Sequence, residues 1–223
     1  MIKLTKRPIP KILFLNEKKW TQILIDQQKR NKKPKPSQVS KYRHKQIKKE
    51  LSSETNGKCA YCESKLQHIH HGDVEHIYPK SLRVSGTFEW NNLTLACEIC
   101  NQNKSDKDPD LELILNPYEV DPSTHIFFES GFVCPLTKSG VNTEKLLSLN
   151  RPELIERRLE KTKSTLGILT NILNDSYEAK VRITILEDFI KYEMSSAKEY
   201  SAMVACVYDN FSKRIPAEIM EGI

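Results

Sequence analysis

Apolar and polar positions alternate in a way that divides the chain into helical ends around a short-stranded middle. Residues 8–15 start extended and turn apolar, which predicts a segment packed on the core. Over residues 16–29, Trp20, Ile23 and Leu24 recur at helical spacing, predicting a helix with Asn16 as its cap. Residues 30–37 form a basic loop interrupted by prolines. Helical spacing returns over residues 40–55, with Tyr42, Ile47 and Leu51 inward and lysines outward, and Asn56-Gly57 ends it. Residues 72–79 predict a short strand running into a proline-stopped loop, and residues 90–96 a second apolar run. Two apolar runs around Ser130-Gly131 have the pattern of a hairpin, with His125 opening its first strand in a structural role. Asn150 then predicts the cap of a long helix with Pro152 in its first turn. Its apolar face is expected to carry Leu154, Ile155, Leu159, Leu166, Leu169 and Ile172, with basic residues outside. Asn174-Asp175-Ser176 breaks it, and two more helical segments are expected near 177–193 and 195–212. The fold class is α+β, divided into a basic N-terminal helical segment (1–57), a central unit (58–110), a hairpin with connecting loops (111–149) and a helical C-terminal region (150–223).

Charge sharpens this division. Residues 1–50 hold 16 Lys and Arg against 3 Asp and Glu, a balance of +13, whereas the rest hold 19 against 26, a balance of −7; together they give the net +6. A basic arm of this kind predicts contact with nucleic-acid phosphates, and Lys32 and Lys33 are the candidate substrate-binding residues. The competing readings are a solvated arm or one docked on an acidic partner. No apolar run approaches the roughly 20 residues a spanning helix needs, and residues 1–8 hold no apolar signal core, so no membrane partner and a cytoplasmic location are expected.

Cysteine spacing supplies the first chemistry. Of six cysteines, Cys59/Cys62 and Cys97/Cys100 form two Cys-x-x-Cys pairs separated by 34 residues. Four thiolates so placed are a structural zinc site. Cys134 and Cys206 are left over and are expected to be buried apolar thiols. The zinc would clamp the ends of an insert that contains Asp73-Val74-Glu75-His76. Within it, His76 suits a general base near neutral pH, since its unperturbed pKa is about 6.5. Glu75 and Asn101 offer hard oxygens of the kind magnesium or manganese takes. Asp73 shares the strand face of Glu75, either supporting the site or as a plain surface acid. His68, His70 and His71 are expected to be loop residues, with a substrate contact by one of them as the lesser alternative. The acidic run 105–110 lacks the glycine and the terminal glutamate of a calcium loop.

The order Cys-x-x-Cys, Glu75-His76-x-x-Pro79, Asn92-Leu93, Cys-x-x-Cys-Asn101-x-x-Lys104 resembles the HNH endonucleases of the ββα-metal fold. That resemblance implies phosphodiester hydrolysis. It also implies that Glu75 and Asn101 ligate one catalytic metal, that Asn92 braces the loop and orients His76, and that Lys104 contacts a phosphate. A narrower resemblance, to the nuclease subunits of Septu-type anti-phage systems and related retron effectors, rests on residues 58–63, 72–76, 79–81 and 89–91 and on Leu149-Asn150-Arg151. It implies DNA, with RNA as an option, and an ABC-type ATPase (PtuA-like) as partner. The sequence contains no Gly-x-x-x-x-Gly-Lys-Ser/Thr loop, so nucleotide sensing is expected to come from another chain. The alternative function is a non-catalytic, zinc-stabilised nucleic-acid-binding or scaffold module.

Overall fold

The computed structural model describes residues 1–66 and 71–223. Helix α1 spans Lys11–Lys29, five residues earlier than the pattern predicts. Pro8 and Pro10 hold the preceding chain extended, and Pro10 (φ −63°, ψ 141°) is itself the cap residue. Asn16 lies inside the helix instead of capping it, and its side-chain amide donates to Ile12 O at 2.9 Å. The loop after α1 contains one helical turn, Pro36–Val39, followed by a 3₁₀ turn, Ser40–Arg43. Helix α2, Lys45–Glu54, starts only after that turn, with His44 as cap accepting from Gln46 N. As expected, Tyr42, Ile47 and Leu51 are buried, and Asn56 and Gly57 (φ 53° and 68°) end α2 in the left-handed region.

The centre is a two-stranded antiparallel sheet, β1 (Asp73–His76) on β2 (Leu93–Ala96), with Glu75 opposite Thr94 and His76 opposite Leu93. Helix α3, Glu98–Lys104, follows β2 and packs on β1. This is the expected ββα unit, and α1 and α2 pack around it through one continuous apolar cluster that runs from Met1 to Ile219. Trp20 of α1 meets Phe88 edge-on with ring centroids 5.5 Å apart. The indole of Trp90 donates to Arg7 O at 2.7 Å, and Lys6 reaches Glu54 and the Leu93 carbonyl.

A second sheet pairs β3 (Ile126–Glu129) with β4 (Phe132–Pro135), the predicted hairpin. Helix α4, Lys138–Leu146, is absent from the sequence expectations, yet it has a signal: the Thr137 hydroxyl caps Gly140 N. Gly140 is obligatory because a Cβ there would lie 2.2 Å from His125 O. Thr137 also holds His125, whose Nδ1 lies 2.8 Å from the hydroxyl, in the expected structural role.

Helix α5 spans Pro152–Leu173, and here two expectations fail. Proline at the first helical position makes Arg151 the cap residue, so Asn150 is left to hydrogen-bond both Val133 N (2.8 Å) and Val133 O (2.9 Å) beside β4. The inward stripe is Leu154, Arg158, Thr162, Thr165, Leu169 and Ile172, while Leu159 and Leu166 are exposed. Helix α6 (Ala179–Asp188) continues as a π turn over Phe189–Glu193. Helix α7, Ser201–Ser212, starts six residues later than expected, after Tyr200 in a left-handed conformation (φ 56°), and a short α8 (Ala217–Met220) closes the chain. Among the described residues no helix is long and apolar enough to cross a membrane.

Candidate active site and metal centre

The four thiols converge as the spacing predicts. The Sγ atoms of Cys59, Cys62, Cys97 and Cys100 lie within 4.8 Å of one another, with Cys62 and Cys97 3.9 Å apart. A tetrahedron of zinc–sulfur bonds of about 2.3 Å puts its sulfurs about 3.8 Å apart, so the donor set fits zinc. Local folding prepares this arrangement. The knuckle carrying Cys59 and Cys62 closes through Cys59 N→Ser64 O (2.9 Å) and Glu63 N→Cys59 O (3.0 Å), and Ala60 N→Leu95 O (2.9 Å) pins it to β2. Cys97 caps α3, and its sulfur accepts from Cys100 N. Cys134 and Cys206 lie apart from this group and are half-buried rather than buried.

The second site is built at the far end of β1. Glu75 and His76 are sequence neighbours, which on a regular strand face opposite ways. Yet both line one open pocket of about 370 Å³, together with Pro79, Lys80, Asn101 and Asp106. The strand ends at His76, and the chain turns there into the loop that Pro79 begins to fold.

Each side chain in this pocket is held by a partner that limits what it can do. His76 is 4 % exposed, and its Nε2 donates to Thr87 O at 3.0 Å. That bond fixes the tautomer and leaves Nδ1 as the lone-pair nitrogen. The edge of Tyr42 packs on the imidazole, with centroids 4.6 Å apart. Burial pushes the His76 pKa down to about 4, the Thr87 bond opposes this, and Lys80, Lys104 and Arg43 reinforce it. The ring is therefore neutral, and able to accept a proton, throughout the physiological range.

Glu75 is also enclosed, and burial raises its carboxyl above the usual range, with the Lys104 ammonium the chief opposing influence. Lys104 Nζ lies 2.9 Å from Glu75 Oε1, a buried ion pair. Glu75 lines the pocket, and a carboxylate there is the kind of hard oxygen ligand a divalent cation takes. Asn101 faces the same pocket, and its Nδ2 donates to Asp73 Oδ2 at 3.2 Å. Asp73 thus occupies the amide's donor end, and Oδ1 remains available as the second hard ligand.

Asn92 closes the loop from beneath. It accepts from Tyr78 N (2.7 Å) and donates to Tyr78 O (2.9 Å) and Gly86 O (3.0 Å), which binds the two ends of segment 78–86 together. Lys104, expected at a substrate phosphate, is fully buried, and its ammonium is engaged by Glu75 and by His76 O at 2.8 Å. Lys32 and Lys33 are exposed on the loop after α1. His71 is exposed, whereas His68 and His70 lie outside the described residues. Thr87, Tyr42 and Lys80 join the site without a signal in the sequence pattern. Thr87 acts through its backbone carbonyl, which no residue-type pattern reports. A larger groove of about 680 Å³ lies beyond Tyr78, but Glu89, Asp110 and Glu119 line it and make it unsuited to phosphate.

Residues 59–107 match the family model described as HNH endonuclease. Septu protein PtuB of Bacillus mycoides (strain KBAB4) is 30 % identical to this chain, over 76 % of this chain and 76 % of that protein. Septu protein PtuB of Bacillus thuringiensis is also 30 % identical, over 74 % of this chain and 68 % of that protein. With both the fold and the four-cysteine frame in place, the chain belongs to the Septu PtuB family: a nuclease of anti-phage defence whose HNH domain hydrolyses phosphodiester bonds.

Proposed function

We propose that this chain is the magnesium- or manganese-dependent DNA endonuclease subunit of a cytoplasmic anti-phage complex, controlled by an ABC-type ATPase partner. The observation that carries the catalytic part is the convergence of three groups on one pocket: a neutral imidazole whose Nε2 is held by Thr87 O, the Glu75 carboxylate ion-paired with Lys104, and the Asn101 amide whose nitrogen is held by Asp73. In this reading Nδ1 of His76 takes the proton of the attacking water, and Nε2–H···O of Thr87 steadies the ring as its charge rises. Glu75 and Asn101 would hold the divalent ion, which would supply the positive charge that phosphodiester hydrolysis needs. Lys104 positions Glu75, and Asn92 holds the loop that carries Pro79 and Lys80. Lys80 in the pocket and Arg43 beside it give the site a positive rim for the phosphate. Lys32 and Lys33 extend that charge along the substrate.

The partner reading draws on family membership and on apolar surface outside the site. Phe127, Phe132 and Leu136 of the hairpin are exposed, and so is Leu159 of α5, which lies close to Gly131 at the hairpin tip. Exposed apolar side chains of this kind suit a protein contact. The cytoplasmic reading draws on four unpaired thiols held in ligand geometry.

Incubating the purified chain, alone and with the co-expressed ATPase, with labelled DNA and RNA oligonucleotides in magnesium, manganese or chelator tests the proposal. Metal-dependent cutting of DNA is expected. Cutting of RNA alone would reassign the substrate, and cutting unaffected by chelator would remove the metal from the mechanism.

A further inference from the structure

Two arginines on one face of α5, Arg151 and Arg158, are left over from the site described above. Arg151, half-buried at the head of the helix, places Nη1 3.9 Å from Cys100 Sγ and Nη2 3.9 Å from Cys97 Sγ. Arg158 lies two turns further along the same face and is 1 % exposed. Its Nη1 donates to Leu149 O (2.7 Å) and Gly131 O (3.4 Å), and its guanidinium stacks over Phe128 and Tyr200. Its Nε finds no hydrogen-bond partner, and among the described residues it forms no ion pair with a carboxylate. A buried guanidinium without a counter-ion is costly, so an anion must lie within electrostatic reach. Burial disfavours its charge, and the largest influence in its favour is the Cys62 thiolate.

The thiolates have the complementary imbalance. Four thiolates around a divalent zinc carry a net double negative charge, and the Arg151 guanidinium lies against two of those sulfurs. The neighbouring cation Lys58 is engaged elsewhere, 3.2 Å from Glu63. Other contacts bind the same two parts of the chain. Lys58 Nζ donates to Lys198 O (2.8 Å), Lys65 N to Glu199 Oε1 (2.8 Å), and Ser201 Oγ to Glu63 Oε2 (2.9 Å), while the Ser64 and Tyr200 hydroxyls lie 3.0 Å apart. Segment 198–201 thus clasps the knuckle that carries Cys59 and Cys62.

We propose that the four-cysteine centre is the electrostatic joint between the nuclease core and the C-terminal helical region, with Arg151 as the outer cation of a zinc tetrathiolate. The proposal rests on the zinc reading of the four cysteines and is independent of the catalytic roles given to His76 and Glu75. Zinc binding and the seating of α5 and of segment 198–201 are then one event. The motif Leu149-Asn150-Arg151 also acquires a use: Asn150 ties the helix start to β4, and Arg151 ties it to the metal centre.

The test uses the full chain as wild type, Arg151→Gln and Arg151→Lys, with zinc transfer to a chromogenic chelator as the first readout. Removing an outer partner of a metal ligand costs about 10- to 100-fold in metal affinity. Arg151→Gln is therefore expected to release zinc that much more readily, and Arg151→Lys to recover most of the loss. In the cobalt-substituted protein, Arg151→Gln should shift the thiolate-to-metal charge-transfer band, a change that weakened packing alone would not produce. Hydrogen exchange at saturating zinc should speed up in the first turns of α5 and in 198–201 of the glutamine variant. Zinc release at the wild-type rate, or lysine and glutamine variants that behave alike, would overturn the joint while leaving the zinc site standing. Wild-type protein that holds no zinc would remove the premise, and the proposal with it.

Discussion

In the proposed mechanism the His76 ring is both base and hydrogen-bond donor, and the Thr87 carbonyl decides which nitrogen does which. Because burial holds its pKa near 4, we expect the acidic limb of kcat/KM to fall well below the 6.5 of an ordinary histidine. A limb at or above 6.5 in a pH–rate profile would assign the base to another group. Lys104→Met should leave Glu75 buried without its cation, and breaking such a pair costs about 3–5 kcal/mol. Denaturant melts should show that loss, and the remaining activity should need more magnesium. Glu63 tests the frame around the metal. Burial raises its pKa, but the Met1 ammonium, Lys58 and the Ser201 hydroxyl more than offset this and hold it at about 2. Its folded pKa lies below its unfolded value of about 4.5, so its contribution is present above that value and disappears as pH falls toward 2. The stability gap between wild type and Glu63→Gln should therefore be widest above pH 5 and narrow with acidification; a gap independent of pH would contradict this. The convergence of His76, Glu75 and Asn101 on one pocket was legible in the sequence because all three are side chains at fixed spacing. Thr87 was not, because its part is played by a backbone carbonyl. The burial of Lys104 was hidden too, since a lysine beside an asparagine motif has the same spelling whether it faces solvent or a carboxylate.

Elements carry the next level of control. Trp20 of α1 supports Phe88, the neighbour of Thr87, so the N-terminal helix buttresses the acceptor that orients His76. Trp20→Ala should lower kcat more than it raises KM, with zinc content unchanged; an effect confined to KM would place α1 in substrate binding instead. The basic loop after α1 makes a separate prediction. Lys29, Arg30, Lys32, Lys33 and Lys35 are all exposed. Reversing their charge should reduce the dependence of log K on log salt by about 0.9 for each duplex-DNA phosphate that is no longer neutralised. An unchanged slope would return the loop to plain solvation or partner docking. Helical periodicity finds α5 but misplaces its face, because it turns Arg158 outward and Leu159 and Leu166 inward. A hydropathy pattern cannot register a buried arginine held by the Leu149 and Gly131 carbonyls and stacked on Phe128 and Tyr200. The cap of α1 escapes the pattern for a simpler reason: an extended Pro8-x-Pro10 entry makes proline the cap, where residue preference favours asparagine.

Across the whole molecule, the ββα unit and the cysteine cluster were legible because several spaced residues agree on one geometry. The surrounding layers were legible only as helices, since their packing depends on long-range contacts such as Trp90 with Arg7 and Glu63 with Ser201. Those contacts connect the two ends of the chain to the nuclease core. Association with the proposed ATPase partner should accordingly survive His76→Ala and fail when charges replace Phe127 and Phe132 on the hairpin, as read by co-purification. The most direct test of the catalytic account is single-turnover cleavage by His76→Ala with zinc content measured on the same sample. The account predicts one zinc per chain, an unchanged melting profile and a rate reduced about a hundred- to ten-thousand-fold in magnesium. Cleavage at the wild-type rate by a folded, zinc-loaded His76→Ala protein would contradict it.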